Sequence, residues 1–320
     1  MPLTNANQPT KHIVDATVAA ALAAWPHVGS GDKLAVDGAA VDAMRASLSS
    51  AQFGGVVIIG EGEKDEAPML FNGEIVGHPE KTAKAIDWDI AVDPVDGTRL
   101  AAEGLPGAVA VMAAAERGSM LASSEVYMMK KIVSGPAGRG VLDIDATPAD
   151  NIAALAAALG KELADIRVAV INKPRNFELI AQVQEAGAQW VRFDEGDIAM
   201  AVAAATPNSG VDLLLGLGGS PEGVAAAVAI QVLGGFMQTR FAPQDSDQIA
   251  RGLAAGYDLD AKFELDDLVS GDRFVFVLTG ITDGVLARGV LESAEWIELE
   301  TFILDNSLPE VKRIISRWNS

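Results

Sequence analysis

Two acidic segments of the sequence each follow a short apolar run, an arrangement that can aim several carboxylates at one point. The first follows Val56-Val57-Ile58-Ile59 and reads Gly60-Glu61-Gly62-Glu63-Lys64-Asp65-Glu66. The β-branched run predicts a buried strand, and glycine permits a tight backbone immediately after it. A solvent-exposed acidic turn would have the same composition, so this segment alone leaves both interpretations open.

The second segment has the same design with a proline inside it. Ile90-Ala91-Val92 predicts a strand, and Asp93-Pro94-Val95-Asp96-Gly97-Thr98 follows it. Pro94 restricts its own φ and the conformation of Asp93, and one turn would aim both aspartates at one point. An ordinary turn rich in proline, aspartate and glycine is the alternative. Because two such segments occur in one chain, a metal site is the favoured interpretation.

The candidate ligands in both segments present oxygen atoms. Carboxylates and hydroxyls suit hard cations such as Mg²⁺ and Mn²⁺. The three histidines, His12, His27 and His78, show no ligand spacing, and the chain has no cysteine. The sequence therefore predicts Mg²⁺ or Mn²⁺ as the cofactor and argues against zinc.

A glycine-rich loop precedes an apolar helix that the pattern predicts over residues 221–233. The loop reads Leu215-Gly216-Leu217-Gly218-Gly219-Ser220-Pro221-Glu222-Gly223. Ser220 suits the N-cap and Pro221 the first helical position, and such a helix N-terminus can bind an anion. Glu222 has two open roles, as a metal ligand or as a favourable charge at the helix dipole. The loop matches neither the P-loop nor the dinucleotide-binding fingerprint.

Three weaker signals lie next to predicted helices and strands. Gly31-Asp32-Lys33 separates two predicted helices, over residues 12–25 and 39–48. Lys173-Pro174-Arg175 follows a strand predicted over residues 168–171, and Glu195-Gly196-Asp197 follows the next strand. Ligands of α/β sheets bind at the carboxyl ends of strands, so these residues are candidates for a binding site.

The elements that position these residues alternate between strand and helix in the second half of the chain. This alternation predicts an α/β protein with packed layers. A chain of 320 residues exceeds the usual size of one core. We therefore expect two domains, residues 1–147 and 148–320, with a cleft between them.

Composition narrows the classes of partner. The chain has 24 Lys plus Arg against 44 Asp plus Glu, a net charge of −20, which disfavours nucleic acid and anionic membranes as partners. We see no signal peptide, and the most apolar run, residues 224–235, is too short to span a bilayer. The absence of cysteine excludes disulfides and is compatible with a cytoplasmic location, which we expect.

Three of these motifs together resemble class II fructose-1,6-bisphosphatase, the bacterial and cyanobacterial type within the lithium-sensitive sugar phosphatase superfamily. They are Gly60-Glu61-Gly62-Glu63, Asp93-Pro94-Val95-Asp96-Gly97-Thr98 and Gly218-Gly219-Ser220-Pro221-Glu222-Gly223. The second belongs to the whole superfamily, whereas the other two are specific to this class. The resemblance extends over nearly the whole chain. It implies the layered αβαβα sugar-phosphatase architecture, an active site in the cleft between two domains, and a homodimer or homotetramer.

The resemblance also implies a role for individual residues. The implied metal ligands are Asp32, Glu61, Asp93, Asp96 and Glu222. The implied substrate contacts are Asp96, Gly97, Thr98, Tyr127, Lys173, Pro174, Arg175, Glu195, Gly196, Asp197 and Gly219. Thr98, Asp93 and Glu61 are the implied catalytic residues. Some members have Glu in place of Asp96 and Asp in place of Glu195, changes that keep the charge and affect only the fine geometry.

The implied reaction is the metal-assisted hydrolysis of fructose 1,6-bisphosphate to fructose 6-phosphate and phosphate, in gluconeogenesis or carbon fixation. Thr98, with a carboxylate as its partner, would orient the water that attacks phosphorus in line. Lys173 and Arg175 would hold the distal 6-phosphate, which fixes the reacting end. The N-terminal domain is then the metal-binding one and the C-terminal domain the substrate-binding one. Some members also accept sedoheptulose 1,7-bisphosphate, so that second substrate stays open.

Other functions stay open on the sequence alone. Another phosphatase of the superfamily, acting on inositol monophosphate or a 3′-phosphonucleotide, would share the segment from Asp93 to Thr98 but should lack Lys173-Pro174-Arg175. A non-catalytic sugar-phosphate sensor is the alternative from a different class, although a sensor usually loses ligands. A nucleotide-binding oxidoreductase conflicts with the failed glycine fingerprint.

Overall fold

The computed structural model describes residues 9–60, 70–77, 87–308 and 310–319. The α-helices within these ranges are α1 Pro9–Ala24, α2 Lys33–Leu48, α3 Thr98–Glu103, α4 Pro148–Leu159, α5 Phe177–Glu185, α6 Asp197–Ala205, α7 Ser220–Leu233, α8 Ser246–Ala254 and α9 Leu265–Leu268. The strands are β1 Gly54–Ile59, β2 Ile75–Gly77, β3 Trp88–Asp96, β4 Val109–Glu116, β5 Met128–Ser134, β6 Arg167–Ile171, β7 Gln189–Phe193, β8 Leu213–Gly219, β9 Phe236–Phe241, β10 Phe263–Glu264, β11 Phe274–Gly280, β12 Leu291–Glu292, β13 Trp296–Asp305 and β14 Lys312–Asn319.

The chain divides into two compact units. The first unit consists of Met1–Ala122 and Ser270–Ser320, and the second of Ser123–Val269. Each unit contains one β-sheet with its own helices, so the predicted α/β class is confirmed.

The first unit is built on a mixed, eight-stranded sheet. Its order is β12-β13-β11-β4-β3-β1-β2, with β14 paired to β13. β1 and β3 run parallel, whereas the other pairs are antiparallel. Ile13 of α1, Met44 of α2 and Ile90 of β3 lie in one apolar core. Small alanines on α1, among them Ala16 and Ala20, are fully buried and let the backbones of the layers approach closely.

The second unit is a sheet between two pairs of helices. Its order is β10-β9-β5-β8-β6-β7, in which β6 runs parallel to both β7 and β8. Ile152 of α4 and Ile180 of α5 share a core with Ile132 of β5. Lys131, the preceding residue of β5, points to the other face, where it contacts Asp197 of α6. Helices α6 and α7 pack against each other and against β8.

The division into units differs from the predicted boundary at residue 147. β5 precedes that boundary but pairs with β8 and β9 of the second sheet. Strands β11 to β14 follow it but extend the first sheet through the pairing of β11 with β4. Local sequence patterns do not specify which distant strand is a partner, and this is the physical reason for the difference.

Among the residues that the structure describes, no helix combines the length and the apolar character needed to cross a membrane.

Candidate functional site

The two aspartates of the proline-containing segment lie on the same face of β3. Asp93 pairs with Val111 of β4 and Asp96 pairs with Val109, so three residue steps on β3 match two on β4. Residues three apart in a regular strand point to opposite faces, and one extra residue in a bulge returns the second to the face of the first. Pro94 lies inside this bulge, where its missing N–H costs no ladder hydrogen bond.

The side chain of Asp93 also stabilises the bulge. Its Oδ1 accepts a hydrogen bond of 3.0 Å from the Val95 N–H. Asp93 is half-buried, whereas Asp96 is buried. The sequence predicted a turn after Val92, but β3 continues to Asp96, and the bulge performs the task that was assigned to the turn.

Gly97 connects β3 to α3 in a conformation that favours glycine. Its φ is 93°, in the left-handed region. The next residue, Thr98, begins α3 and is thereby directed back towards the first unit's second helix, α2. The Thr98 Oγ1 lies 2.9 Å from the carboxylate of Asp37 on α2 and 3.1 Å from the Val95 carbonyl.

Asp37 is therefore a carboxylate partner of Thr98 that the sequence alone did not identify. The two residues are 61 positions apart, and only the packing of α2 beside α3 joins them. When a carboxylate accepts a hydrogen bond from the threonine hydroxyl, a lone pair of the hydroxyl oxygen can still accept a hydrogen bond from a donor such as water.

Asp32, a predicted metal ligand, is the N-cap of α2. Its Oδ1 accepts a 3.1 Å hydrogen bond from the Ala35 N–H, and the residue is exposed. The capping role is thus observed, and it leaves the other carboxylate oxygen for a different partner.

Glu61, a predicted catalytic residue and metal ligand, lies outside the described residues, as does the rest of its acidic segment from Gly62 to Glu66. β1 and β3 are parallel, and Ile59 pairs with Ala91. The strand that precedes Glu61 therefore ends beside the part of β3 that leads to Asp93. Among the described residues, no group of three or more carboxylate or histidine side chains is arranged to hold a metal ion.

The predicted substrate contacts of the second unit meet at one edge of its sheet. The carboxyl ends of β6, β7 and β8 coincide because these strands are parallel, and the amino end of β5 joins them because Met128 pairs with Gly219. The residues at this edge are Tyr127, Lys173, Pro174, Arg175, Glu195, Gly196, Asp197 and Gly219.

The basic residues at this edge already contact protein groups. The Lys173 Nζ lies 3.9 Å from Glu195 Oε1, a loose ion pair. The Arg175 Nε donates to the Leu217 carbonyl at 2.8 Å, and the residue is exposed. Tyr127 has 56% of its surface exposed. The edge therefore offers accessible cationic and hydroxyl groups to an anionic ligand.

The segment predicted as a glycine-rich loop before α7 is not a loop: β8 continues to Gly219, and α7 begins at the next residue. The N-cap is Gly219, not Ser220, which is the first helical residue. The Ser220 Oγ is buried within hydrogen-bond reach of the Val126 and Ser123 carbonyls. Its hydroxyl therefore connects the start of α7 to the segment before β5 instead of capping the helix.

Glu222, in the first turn of α7, carries a carboxylate oxygen without a partner. Its Oε2 is inaccessible to solvent and has no hydrogen bond to any of the described residues. A Cβ at Gly219 would lie 1.8 Å from this oxygen, so any larger residue there would require the Glu222 carboxylate to move. Burial raises the pKa of the Glu222 carboxyl; the nearby Lys131 ammonium lowers that pKa and the Asp197 carboxylate raises it.

By donor type, the carboxylates of each unit, taken separately, suit a hard divalent cation. Asp93 and Asp96 share one face of β3, and every candidate ligand is a carboxylate. A buried carboxylate oxygen without a partner, such as the Oε2 of Glu222, is costly, and a proton or a cation would satisfy it.

Comparison with known proteins gives a consistent result over almost the full length. A family model described as bacterial fructose-1,6-bisphosphatase, glpX-encoded, matches residues 8–318. Fructose-1,6-bisphosphatase 1 class 2 of Escherichia coli strain K12 is 38% identical over 313 residues, which cover 94% of this chain and 92% of that protein. The class 2 fructose-1,6-bisphosphatases of Escherichia coli O6:H1 and Shigella flexneri show the same identity and coverage.

Proposed function

The chain belongs to the family of bacterial, glpX-encoded fructose-1,6-bisphosphatases, and from this premise we propose how the residues of its two units divide the reaction. The chain is a class 2 fructose-1,6-bisphosphatase, a phosphoric monoester hydrolase that converts fructose 1,6-bisphosphate to fructose 6-phosphate and phosphate. The alternative substrates, inositol monophosphate and 3′-phosphonucleotides, are not favoured, and neither is a role as a non-catalytic sensor.

The chemical step belongs to the first unit in this proposal, and one observation carries that assignment. Asp93 and Asp96 share a face of β3, and Thr98, two residues further on, is hydrogen-bonded to Asp37. Asp37 would accept a hydrogen bond from the Thr98 hydroxyl and so orient it, and a lone pair of the Thr98 oxygen would accept a hydrogen bond from the attacking water. Such a pair fixes the direction of attack, which an in-line displacement requires.

The metal ligands would be Asp93, Asp96, Glu61, Asp32 and Glu222. The family is generally metal-dependent, and we propose Mg²⁺ or Mn²⁺ because all these ligands are carboxylates. A bound divalent ion would neutralise phosphate charge and lower the pKa of water.

The second unit would recognise the part of the substrate that does not react. Lys173 and Arg175 would bind the 6-phosphate, for which the planar guanidinium of Arg175 is well suited. The loose ion pair between Lys173 and Glu195 keeps the lysine nearby at little energetic cost. Tyr127, Pro174, Gly196, Asp197 and Gly219 would complete the contacts to the sugar, and Gly97 would leave room beside Thr98.

The strongly negative charge of the chain, −20, requires local cations for a phosphate substrate. Lys173 and Arg175 would supply part of the positive charge that the substrate needs, and a bound metal would supply the rest. We propose a cytoplasmic homodimer or homotetramer that acts in gluconeogenesis, and carbon fixation is a second setting if the enzyme also accepts sedoheptulose 1,7-bisphosphate.

The test is phosphate release from fructose 1,6-bisphosphate, sedoheptulose 1,7-bisphosphate and inositol 1-phosphate, each with Mg²⁺, with Mn²⁺ and with EDTA. We expect metal-dependent release from fructose 1,6-bisphosphate that EDTA abolishes. Release from inositol 1-phosphate with none from either bisphosphate would contradict the proposal.

A further inference from the structure

Lys131 is a buried lysine next to the strand ends that carry the second unit's proposed substrate contacts. It lies on β5, is 2% exposed, and belongs to the largest fully buried side chains among the described residues. The adjacent Lys130 points to the other face of β5 and is exposed, and its Nζ donates to the Ile144 carbonyl at 2.6 Å.

The Lys131 ammonium joins the end of one strand to the start of a helix. Its Nζ donates to the Gly219 carbonyl at 3.0 Å and to the Asp197 carboxylate. Gly219 ends β8 and is the N-cap of α7, whereas Asp197 is the first residue of α6. Both bonded residues are proposed substrate contacts.

Glycines make room for this arrangement. A Cβ at Gly218 would lie 2.2 Å from the Asp197 Oδ2 and 2.9 Å from the Lys131 Nζ. A Cβ at Gly223 would lie 2.6 Å from the Met129 Sδ and 3.4 Å from the Lys131 Cδ. The backbone at the junction of β8 and α7 therefore lies directly against the lysine, and a movement of the ammonium would be transmitted to that junction.

Stability alone does not explain a lysine at this position. Removing an ammonium from water costs several kcal/mol, which a buried ion pair often fails to recover, and an apolar residue of similar volume is commonly as stable or more stable. Apolar residues surround Lys131 on its strand, at Met129 and Val133 on the same face. A buried charge in such a place indicates that geometry, not stability, is what it supplies.

We propose that Lys131 is a positioning residue for the sugar phosphate. It holds the Gly219 carbonyl and the Asp197 carboxylate at a set separation, so that both meet the substrate without reorganisation. This inference rests on the proposed function, because it takes Gly219 and Asp197 as substrate contacts. Preorganised contacts lower the cost of binding, so loss of the lysine should weaken binding more than it slows the chemical step.

The first test compares Lys131→Met with Lys130→Met, two neighbours on one strand that lose the same charge. Lys131→Met should raise KM for fructose 1,6-bisphosphate by about tenfold or more while kcat changes less. The dissociation constant of fructose 6-phosphate, measured by calorimetry, should rise in parallel. Lys130→Met should leave KM, kcat and that dissociation constant unchanged.

A second variant covers the case in which Lys131→Met does not fold. Gly218→Ala keeps both charges, but its Cβ pushes Asp197 and Lys131 away from the end of β8. It should therefore raise both KM and the dissociation constant of fructose 6-phosphate. Folded variants with a lowered Tm but unchanged KM and unchanged fructose 6-phosphate binding would overturn the inference. A wild-type chain that hydrolyses no fructose 1,6-bisphosphate would instead overturn the proposed function, and that result is obtained before any variant is compared.

Discussion

The two units present their candidate residues at strand ends, but with different charge and by different backbone devices: carboxylates in the first unit, and both cations and carboxylates in the second. In the first unit the groups are carboxylates, Asp93 and Asp96, turned to one face by a bulge within a continuous strand. In the second unit the accessible groups include Lys173 and Arg175, in a loop after β6. The bulge lies between two pairings of β3 with β4, at Asp93 and at Asp96, whereas the loop after β6 is held by a few contacts such as that of Arg175 to Leu217.

This difference has a functional meaning if the first unit performs the chemistry and the second recognises the substrate. Reacting groups need positions accurate to a fraction of an ångström, which a central strand provides. Groups that bind a distal phosphate tolerate more movement. Variants of the first unit should therefore lower kcat, and variants of the second should raise KM.

The largest effect should come from Asp93→Asn. Asparagine keeps an oxygen that can accept the Val95 N–H, so the bulge and the Tm should be preserved while the negative charge is lost. We expect kcat to fall by more than about a thousandfold, since the ligand charge is needed in the transition state. Steady-state kinetics and thermal unfolding measure both quantities.

The control for this variant is Asp42→Asn, an exposed carboxylate on α2 of the same unit, which should remain fully active. An Asp93→Asn enzyme with near wild-type kcat would contradict the assignment of the chemical step to the first unit.

A smaller loss should follow from breaking the pair of Thr98 and Asp37. Asp37→Asn and Thr98→Val should each lower kcat by about 10²–10⁴-fold, the usual contribution of a positioned proton acceptor. Because the two residues act as one unit, the double variant should be little worse than either single variant. Losses that multiply in the double variant would show that the two side chains act separately.

The smallest effect of the three should come from Arg175→Ala in the second unit. A charge-assisted hydrogen bond contributes about 1.5–3 kcal/mol, so KM should rise by about ten- to a hundredfold with kcat nearly unchanged. Arg251→Ala is the matched control, because this exposed arginine of α8 pairs with Glu125 at 3.5 Å. A fall in kcat without a change in KM would contradict the assignment of recognition to this unit.

Local patterns were sufficient to predict strands β1, β6 and β7, the start of β3, and the candidate residues that follow them. The β-branched run before Gly60 is β1, and the positions of Lys173 and Glu195 after parallel strands placed both at one sheet edge. The bulge of β3 was not predicted, because it exists only in the register against β4. Asp37 was missed for the same reason, since its contact with Thr98 depends on the packing of two helices.

The alanine-rich strand β4 shows that residue propensity, like local pattern, does not determine an element by itself. Ala113, Ala114 and Ala115 have a strong helix propensity, yet they form part of a central strand in which every one is fully buried. Tertiary burial between β3 and β11 overrides that propensity, because the ladder hydrogen bonds of both neighbours are satisfied only by a strand. Partner choice of this kind also explains why the predicted boundary at residue 147 differs from the division into units.

The most direct test of the division of labour compares two substrates on two enzymes. Fructose 1,6-bisphosphate and fructose 1-phosphate share the reacting phosphate, and only the first carries the distal one. We predict that Arg175→Ala lowers kcat/KM for the bisphosphate by about ten- to a hundredfold and leaves kcat/KM for fructose 1-phosphate unchanged. An equal loss on both substrates would contradict the account, because Arg175 would then act on the reacting end.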